Sequence, residues 1–160
     1  LSDTLGFRSP TTTDLDRSTA KKLAEELKID VQNFASELFK AKSDVSNYTD
    51  PELILMDSKK YDVGGKKLRI SVMETTQPQE ILRRKKSILE AMKDIEAEEG
   101  VDQILFFVID ILKQEAILFV PNKLVKEIAE KSFGTSCVED TTILPGILSR
   151  KKQIIPQLKV

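Results

Sequence analysis

Histidine is missing from all 160 residues of the chain. That excludes a Ser-His-Asp or Cys-His catalytic site and any zinc site built with histidine. Cysteine is nearly as scarce. Cys137 stands alone, so no internal disulfide can form, and a lone thiol fits a reducing, cytoplasmic compartment. Without an imidazole to activate it, Cys137 reads as a small, semi-buried strand residue and not as a nucleophile. No apolar run approaches the ~20 residues that span a bilayer, and the opening residues do not read as a signal peptide. Excess charge of either sign is also absent. With 25 Lys and Arg against 26 Asp and Glu, the net charge of −1 gives no global field for nucleic acid or an anionic membrane, and neither is expected as a partner.

An anion site in such a chain has to be local. The 40% apolar and 32% charged composition is that of a globular protein large enough for one domain, or one domain with an appendage. The chain opens at Leu1 instead of methionine and reads as a piece of something longer. Its most concentrated charge is Ser149-Arg150-Lys151-Lys152-Gln153, set between Ile143-Leu144-Pro145-Gly146-Ile147-Leu148 and Ile154-Ile155-Pro156. A charge run most often means a solvated face. Here the flanks look like core, so the cations are expected to be held in place. Fixed cations in a row suit a phosphate chain, because arginine forks onto two oxygens while lysine acts as a point charge. A second basic run, Arg83-Arg84-Lys85-Lys86, lies on a predicted helix. Its side chains would fan out there and pair with Glu80, Glu90 and Asp94, which makes it a solvated face.

Apolar periodicity predicts the elements in order. Residues 1–9 read as a loop or strand end. Ala20, Leu23, Ala24 and Leu27 mark a helix from Asp14 to Lys28, and Asp30 caps a second with Val31, Phe34, Ala35 and Leu38 inward. Lys42 to Tyr48 is a polar linker. Thr49 and Glu52 form a capping box for a short helix that gives way to the Gly64-Gly65 turn. Leu68, Ile70 and Val72 then alternate with Lys67, Arg69 and Ser71 as a half-buried strand. The longest helix is expected from Thr76-Gln77-Pro78-Gln79 to Gly100, with Ile81, Leu82, Ile88, Leu89, Met92 and Ile95 inward. Gln103 to Leu112 should be a central strand buried on both faces, with Asp110 capping the following turn. Ala116–Val120, Thr135–Val138 and Thr142–Leu144 complete the strands, and a helix runs from Lys123 to Lys131. The fold class is therefore α/β, a mixed β-sheet of about five strands flanked by helices and preceded by a helical segment.

Three separated pieces carry a resemblance. Ser2-Asp3-Thr4-Leu5 with Phe7-Arg8-Ser9-Pro10-Thr11, the segment Asp57-Ser58-Lys59, and the terminal Ser149-Arg150-Lys151-Lys152-Gln153 occur in this order. In this the chain resembles the carboxy-terminal portion of family II inorganic pyrophosphatases, the manganese-dependent members of the DHH phosphoesterase superfamily. The terminal motif is the most specific of the three, and the resemblance covers essentially the whole chain. It implies that residues 1–43 are the end of an amino-terminal DHH catalytic domain and that 44–160 form the substrate-binding domain. It assigns Asp3 as a metal ligand and Lys59, Arg150 and Lys151 as grips on the phosphates, with Lys152 and Gln153 supporting. It also implies manganese or cobalt in the full-length enzyme, with magnesium accompanying the substrate. The histidine ligands and the Asp-His-His motif of that family lie upstream and are not in this chain. The fragment alone is therefore expected to bind no metal tightly and not to catalyse. Arg8 stands where the family more often has lysine, a change that keeps the charge.

The implied partners are pyrophosphate or phosphate and the missing DHH domain. The parent can be a homodimer through contacts mainly in the missing half. Prune-type relatives, which act on other short phosphate chains or serve in protein interaction, are the alternative within the superfamily. Their terminal motif is less complete than the one here. A stand-alone phosphate-binding module is the other alternative, against which Ser2-Asp3-Thr4 argues.

Overall fold

The computed structural model describes residues 1–137 and 139–160. Two helices, α1 (Asp14–Leu27) and α2 (Val31–Lys42), precede α3 (Asp50–Leu55), β1 (Ser58–Val63) and β2 (Lys66–Thr75). Then come α4 (Pro78–Arg83), α5 (Lys85–Glu99), β3 (Gln103–Asp110), β4 (Glu115–Phe119), α6 (Lys123–Phe133) and β5 (Thr141–Pro145). A π-helical turn, Arg150–Ile154, leads into the short α7 (Ile155–Gln157).

The five strands form one sheet in the order β1-β2-β3-β4-β5. Only β2 and β3 run parallel, joined across α4 and α5; the other neighbours are antiparallel. The expected mixed α/β sheet is therefore present. β3 is buried along its whole length, as its unbroken apolar run predicts. Alternate residues feed two cores. Leu105, Phe107 and Ile109 meet Val125 and Ile128 of α6 together with Leu148 and Ile154, while Ile104, Phe106 and Val108 meet Leu53, Ile88 and Met92. On the second face Phe106 and Phe119 pack edge to face at 5.3 Å between ring centres, an arrangement worth about 0.5–1.5 kcal/mol beyond burial.

Local chemistry explains the boundaries. Asp30 caps α2 by accepting from Asn33 N at 2.8 Å, and Thr49 with Glu52 completes the predicted capping box of α3. Asp110 does cap the turn after β3: its Oδ1 accepts from Leu112 N and Lys113 N, both at 3.0 Å.

Several expectations are corrected. The long helix breaks at Arg84, which leaves helical geometry at φ −92°, ψ 7°. There its guanidinium reaches Asp50 Oδ1 at 2.7 Å and the Tyr48 carbonyl at 2.8 Å. Arg84 and Lys85, which pairs with Asp140 at 2.6 Å, are thus structural cations; Arg83 alone keeps the expected partner, Glu80. β2 is buried on both faces, because Arg69 is neutralised by Glu99 and covered. β1, which the sequence hides among polar residues, takes the place of the strand expected at Thr135–Val138. Residues 135–137 are irregular, with Cys137 buried off any strand, and Val138 lies outside the described residues. Residues 1–9, expected as a loop or strand end, are a loop of turns.

The face of α2 is also different. Ala35 and Phe39 enter the core, while Phe34 is 46% exposed. Phe34 joins Leu15, Leu23, Leu27 and Ile29 along an open apolar groove of about 740 Å³ between α1 and α2.

Candidate functional site: three motifs tied together

The terminal cations sit on a turn that is built to hold still. Ser149 caps it by accepting from Lys152 N at 3.2 Å, and Ser149 O accepts from Ile154 N at 3.0 Å, the wide spacing of a π turn. Such turns recur at functional sites. Gln153 braces the turn from inside. Its Oε1 accepts from Leu148 N at 2.8 Å and Ser149 N at 3.0 Å, and its Nε2 donates to Gly146 O at 2.7 Å. Leu148 and Ile154, on either side of the cations, are buried in the core, so the apolar flanks anchor the charges as expected. Ile143, further out, is 54% exposed.

Contacts across the chain tie this turn to the other two motifs. Arg150 Nη2 forms an ion pair with Asp57 Oδ1 at 2.7 Å, and its Nη1 donates to the Asp57 carbonyl at 2.9 Å. Asp57 adjoins Ser58 and Lys59 at the start of β1. Lys152 Nζ donates to the Pro10 carbonyl at 3.0 Å, in the segment that begins with Ser2-Asp3. The strand register adds direction. Lys59 pairs with Ile70, and paired residues of antiparallel strands face the same side. Ile70 belongs to the core that contains Leu148 and Ile154, so Lys59 lies on the face that carries the terminal turn.

Ser58 and Lys60 point the other way. There Arg69 donates to both Ser58 Oγ and the Glu99 carboxylate, and Lys60 joins Glu99 at 3.3 Å. Burial pushes the Glu99 carboxyl up, but the hydrogen bonds from Arg69 and Lys60 outweigh it and hold the group below its ordinary range. β1 is thus fixed from behind by one ion network and from the front by Arg150. Lys59 and Lys151 themselves are exposed, free to meet an anion from solvent.

Asp3 is exposed on the opening turns. Those turns place Leu5, Gly6 and Phe7 in succession at positive φ, with Leu5 buried in the core. A Cβ on Gly6, which has φ +60°, would come within 2.9 Å of Arg8 Nη1 and 3.2 Å of the Phe39 ring, so glycine spares both the strain and the displacement of those side chains. Among the described residues, no three His, Cys, Asp or Glu side chains come together as a metal site. Asp3 offers one carboxylate, fit to complete a site and not to make one. The residues present therefore do not constitute a metal centre.

The cation cluster is an open surface, and the larger clefts lie elsewhere. One of about 880 Å³ runs beside the linker, lined by Lys40, Asp44, Tyr48, Glu80 and Arg84 among others. Motif spacing in the sequence singled out Asp3, Lys59, Arg150 and Lys151. It missed Asp57 as the seat of Arg150 and Gln153 as an internal brace, because both roles depend on folded contacts.

Residues 36–160 match the DHHA2 domain. The manganese-dependent inorganic pyrophosphatase of Methanocaldococcus jannaschii is 39% identical over 160 residues, covering 99% of this chain and 52% of that protein. Its Bacillus subtilis counterpart is 35% identical over 159 residues, covering 99% and 51%. The chain thus spans about half the length of the curated relatives it matches, and aligns with their carboxy-terminal half. The crystal structure of a Methanococcus jannaschii protein assigned to the family II inorganic pyrophosphatases superposes with a TM-score of 0.84 at 40% identity, covering 98% of this chain and 50% of that one. A five-stranded mixed sheet, a terminal cation turn bound to the first strand, and a family match over most of the length lead to one assignment: the chain belongs to the DHHA2 domain family.

Proposed function

We propose that this chain is the substrate-binding part of a manganese-dependent inorganic pyrophosphatase that hydrolyses pyrophosphate to two phosphates in the cytoplasm. The observation that carries the reading is the Arg150–Asp57 contact, which joins positions 93 residues apart and sets the terminal cations beside the strand of Lys59. Lys59, Arg150 and Lys151 neutralise oxygens of the electrophilic and leaving phosphates, where charge builds as the bridge breaks. Lys152 and Gln153 support them, the first by its tie to Pro10, the second by bracing the turn.

Asp3 contributes one ligand to a manganese or cobalt site whose other ligands come from the rest of the enzyme. When bound, the metal supplies a water activated for attack at neutral pH, and magnesium accompanies the substrate. Residues 1–43 belong with the preceding DHH domain and 44–160 bind substrate. The open apolar groove of α1 and α2 supports that division, because a face of this size calls for a partner. An open cation surface on one part and metal ligands on another give closure a purpose, since each holds half a site.

Phosphate release from pyrophosphate with manganese, measured for the complete parent and for this chain side by side, tests the reading. Activity in the parent alone is expected, and Lys151→Ala there should lower turnover by at least ~10-fold, as for loss of a charge-assisted contact at a phosphoryl site. Unchanged kinetics in that variant would remove the assignment of the terminal turn.

A further inference from the structure

The geometry points to Asp57 as a positioning residue: it sets the Arg150 guanidinium so that one edge is held by the protein and the rest is offered to a phosphate chain. The inference rests on the pyrophosphatase reading above and gives a role to Asp57, a motif residue to which the resemblance assigned none.

Arg150 meets Asp57 at two points, donating Nη1–H to the backbone carbonyl at 2.9 Å and forming an ion pair between Nη2 and Oδ1 at 2.7 Å. A guanidinium has five N–H donors in a plane, so a partner that takes one edge fixes the direction of the others. The partner is itself anchored. The same Asp57 carbonyl accepts from Val72 N of β2 at 2.9 Å, which bonds the seat of Arg150 to the strand beside the buried β3. Arg150 is also largely covered, with 14% of its side chain exposed, whereas the Asp57 side chain is 57% exposed. The carboxylate therefore stands toward solvent at the rim, and the arginine lies against the fold.

Two roles for that carboxylate differ in sign. As a positioning group it strengthens phosphate binding by holding Arg150 in one direction. As a competitor it weakens binding by occupying Arg150 and repelling the anion. The shared anchor favours positioning, because the backbone carbonyl would keep hold of one nitrogen even if Oδ1 let go. A pure competitor would need no such second bond. The side-chain contact adds the second point that fixes the plane of the fork.

Isotope-detected NMR titration of this chain with magnesium pyrophosphate, which reads weak binding directly, separates the outcomes. Asp57→Ala should weaken binding about tenfold, while Asp57→Asn, which keeps an acceptor oxygen at the Oδ1 position, should retain most of it. In an Arg150→Lys background, Asp57→Ala should change nothing further, since its effect passes through the guanidinium. The arginine Nε–Hε signal lost in Arg150→Lys should be shifted by Asp57→Ala before any ligand is added, with the rest of the spectrum intact. Unchanged or tighter binding in Asp57→Ala, while Arg150→Lys still weakens it, would overturn the positioning role and leave the pyrophosphatase reading standing. Pyrophosphate binding that is absent, or indifferent to both Arg150→Lys and Lys151→Ala, would overturn that reading and this inference together.

Discussion

At the scale of single residues, the side chains that hold the site count as much as those that face the anion. Gln153 is the clearest case, since its side-chain bonds go to backbone groups of Gly146, Leu148 and Ser149, the residues that lead into the cation turn. Removing it leaves the N–H groups of Leu148 and Ser149 without their acceptor in a part-buried place. Gln153→Ala should therefore destabilise the chain by about 1–3 kcal/mol, readable as a lower urea midpoint at unchanged slope. The motif residues were legible as a resemblance, and the division of labour among them was not. A sequence shows Arg150, Lys151, Lys152 and Gln153 as neighbours. Only the folded turn shows one seated on Asp57, one exposed, one tied to Pro10 and one turned inward.

At the scale of elements, periodicity succeeded where a face is continuously apolar. The face of α5, the run of β3 and the capping box of α3 all read directly. It failed where distant partners decide. The break between α4 and α5 depends on Asp50 and the Val45 and Tyr48 carbonyls, which lie 34–39 residues upstream of Arg84. β1 carries charge on both faces, Lys59 on one and Lys60 on the other, so its alternation is confined to Lys60–Val63, too short a run to read as a strand. α1 and α2 were placed correctly but turn much of their apolar surface outward. Leu27, 65% exposed, tests the reason for that. Leu27→Glu should move the stability of this chain by no more than about 0.5 kcal/mol, as for an exposed position. On the proposed division, in which the preceding domain covers the groove in the complete parent, the same change there should lower the melting temperature clearly. Equal, negligible shifts in both would remove the groove as the seat of that domain.

At the scale of the whole molecule, two part-buried carboxylates answer pH in opposite directions. Burial pushes the Glu96 carboxyl up, against the pull of the hydrogen bond from Ile104 N at 2.8 Å and of nearby Lys93. A folded value above the unfolded one favours the protonated acid. Its contribution is fully present below the ordinary glutamate value and is lost as pH rises through the elevated one. Glu99 runs the other way: its contribution is present at neutral pH and fades on acidification, because its folded value is depressed. Glu96→Gln, which retains an acceptor for Ile104 N, should therefore gain stability relative to the parent sequence at pH 7 and lose that advantage near pH 4. Urea titrations of both chains at the two pH values measure the difference. An advantage that is the same at both would show that Glu96 titrates as it does in the unfolded chain.

The contact between Arg150 and Asp57 also has a bearing on timing. It closes a loop that contains the whole sheet, so the chain must find its pairings in order before the two ends of that loop can meet. Contacts between such distant positions form late, because chain entropy opposes them until the intervening structure has condensed. A partly folded chain thus carries its lysines and arginines scattered, each able to attract an anion weakly and none able to grip a phosphate pair. The proposed phosphate recognition would arise only with the completed fold, and its appearance during refolding would report the last step of assembly.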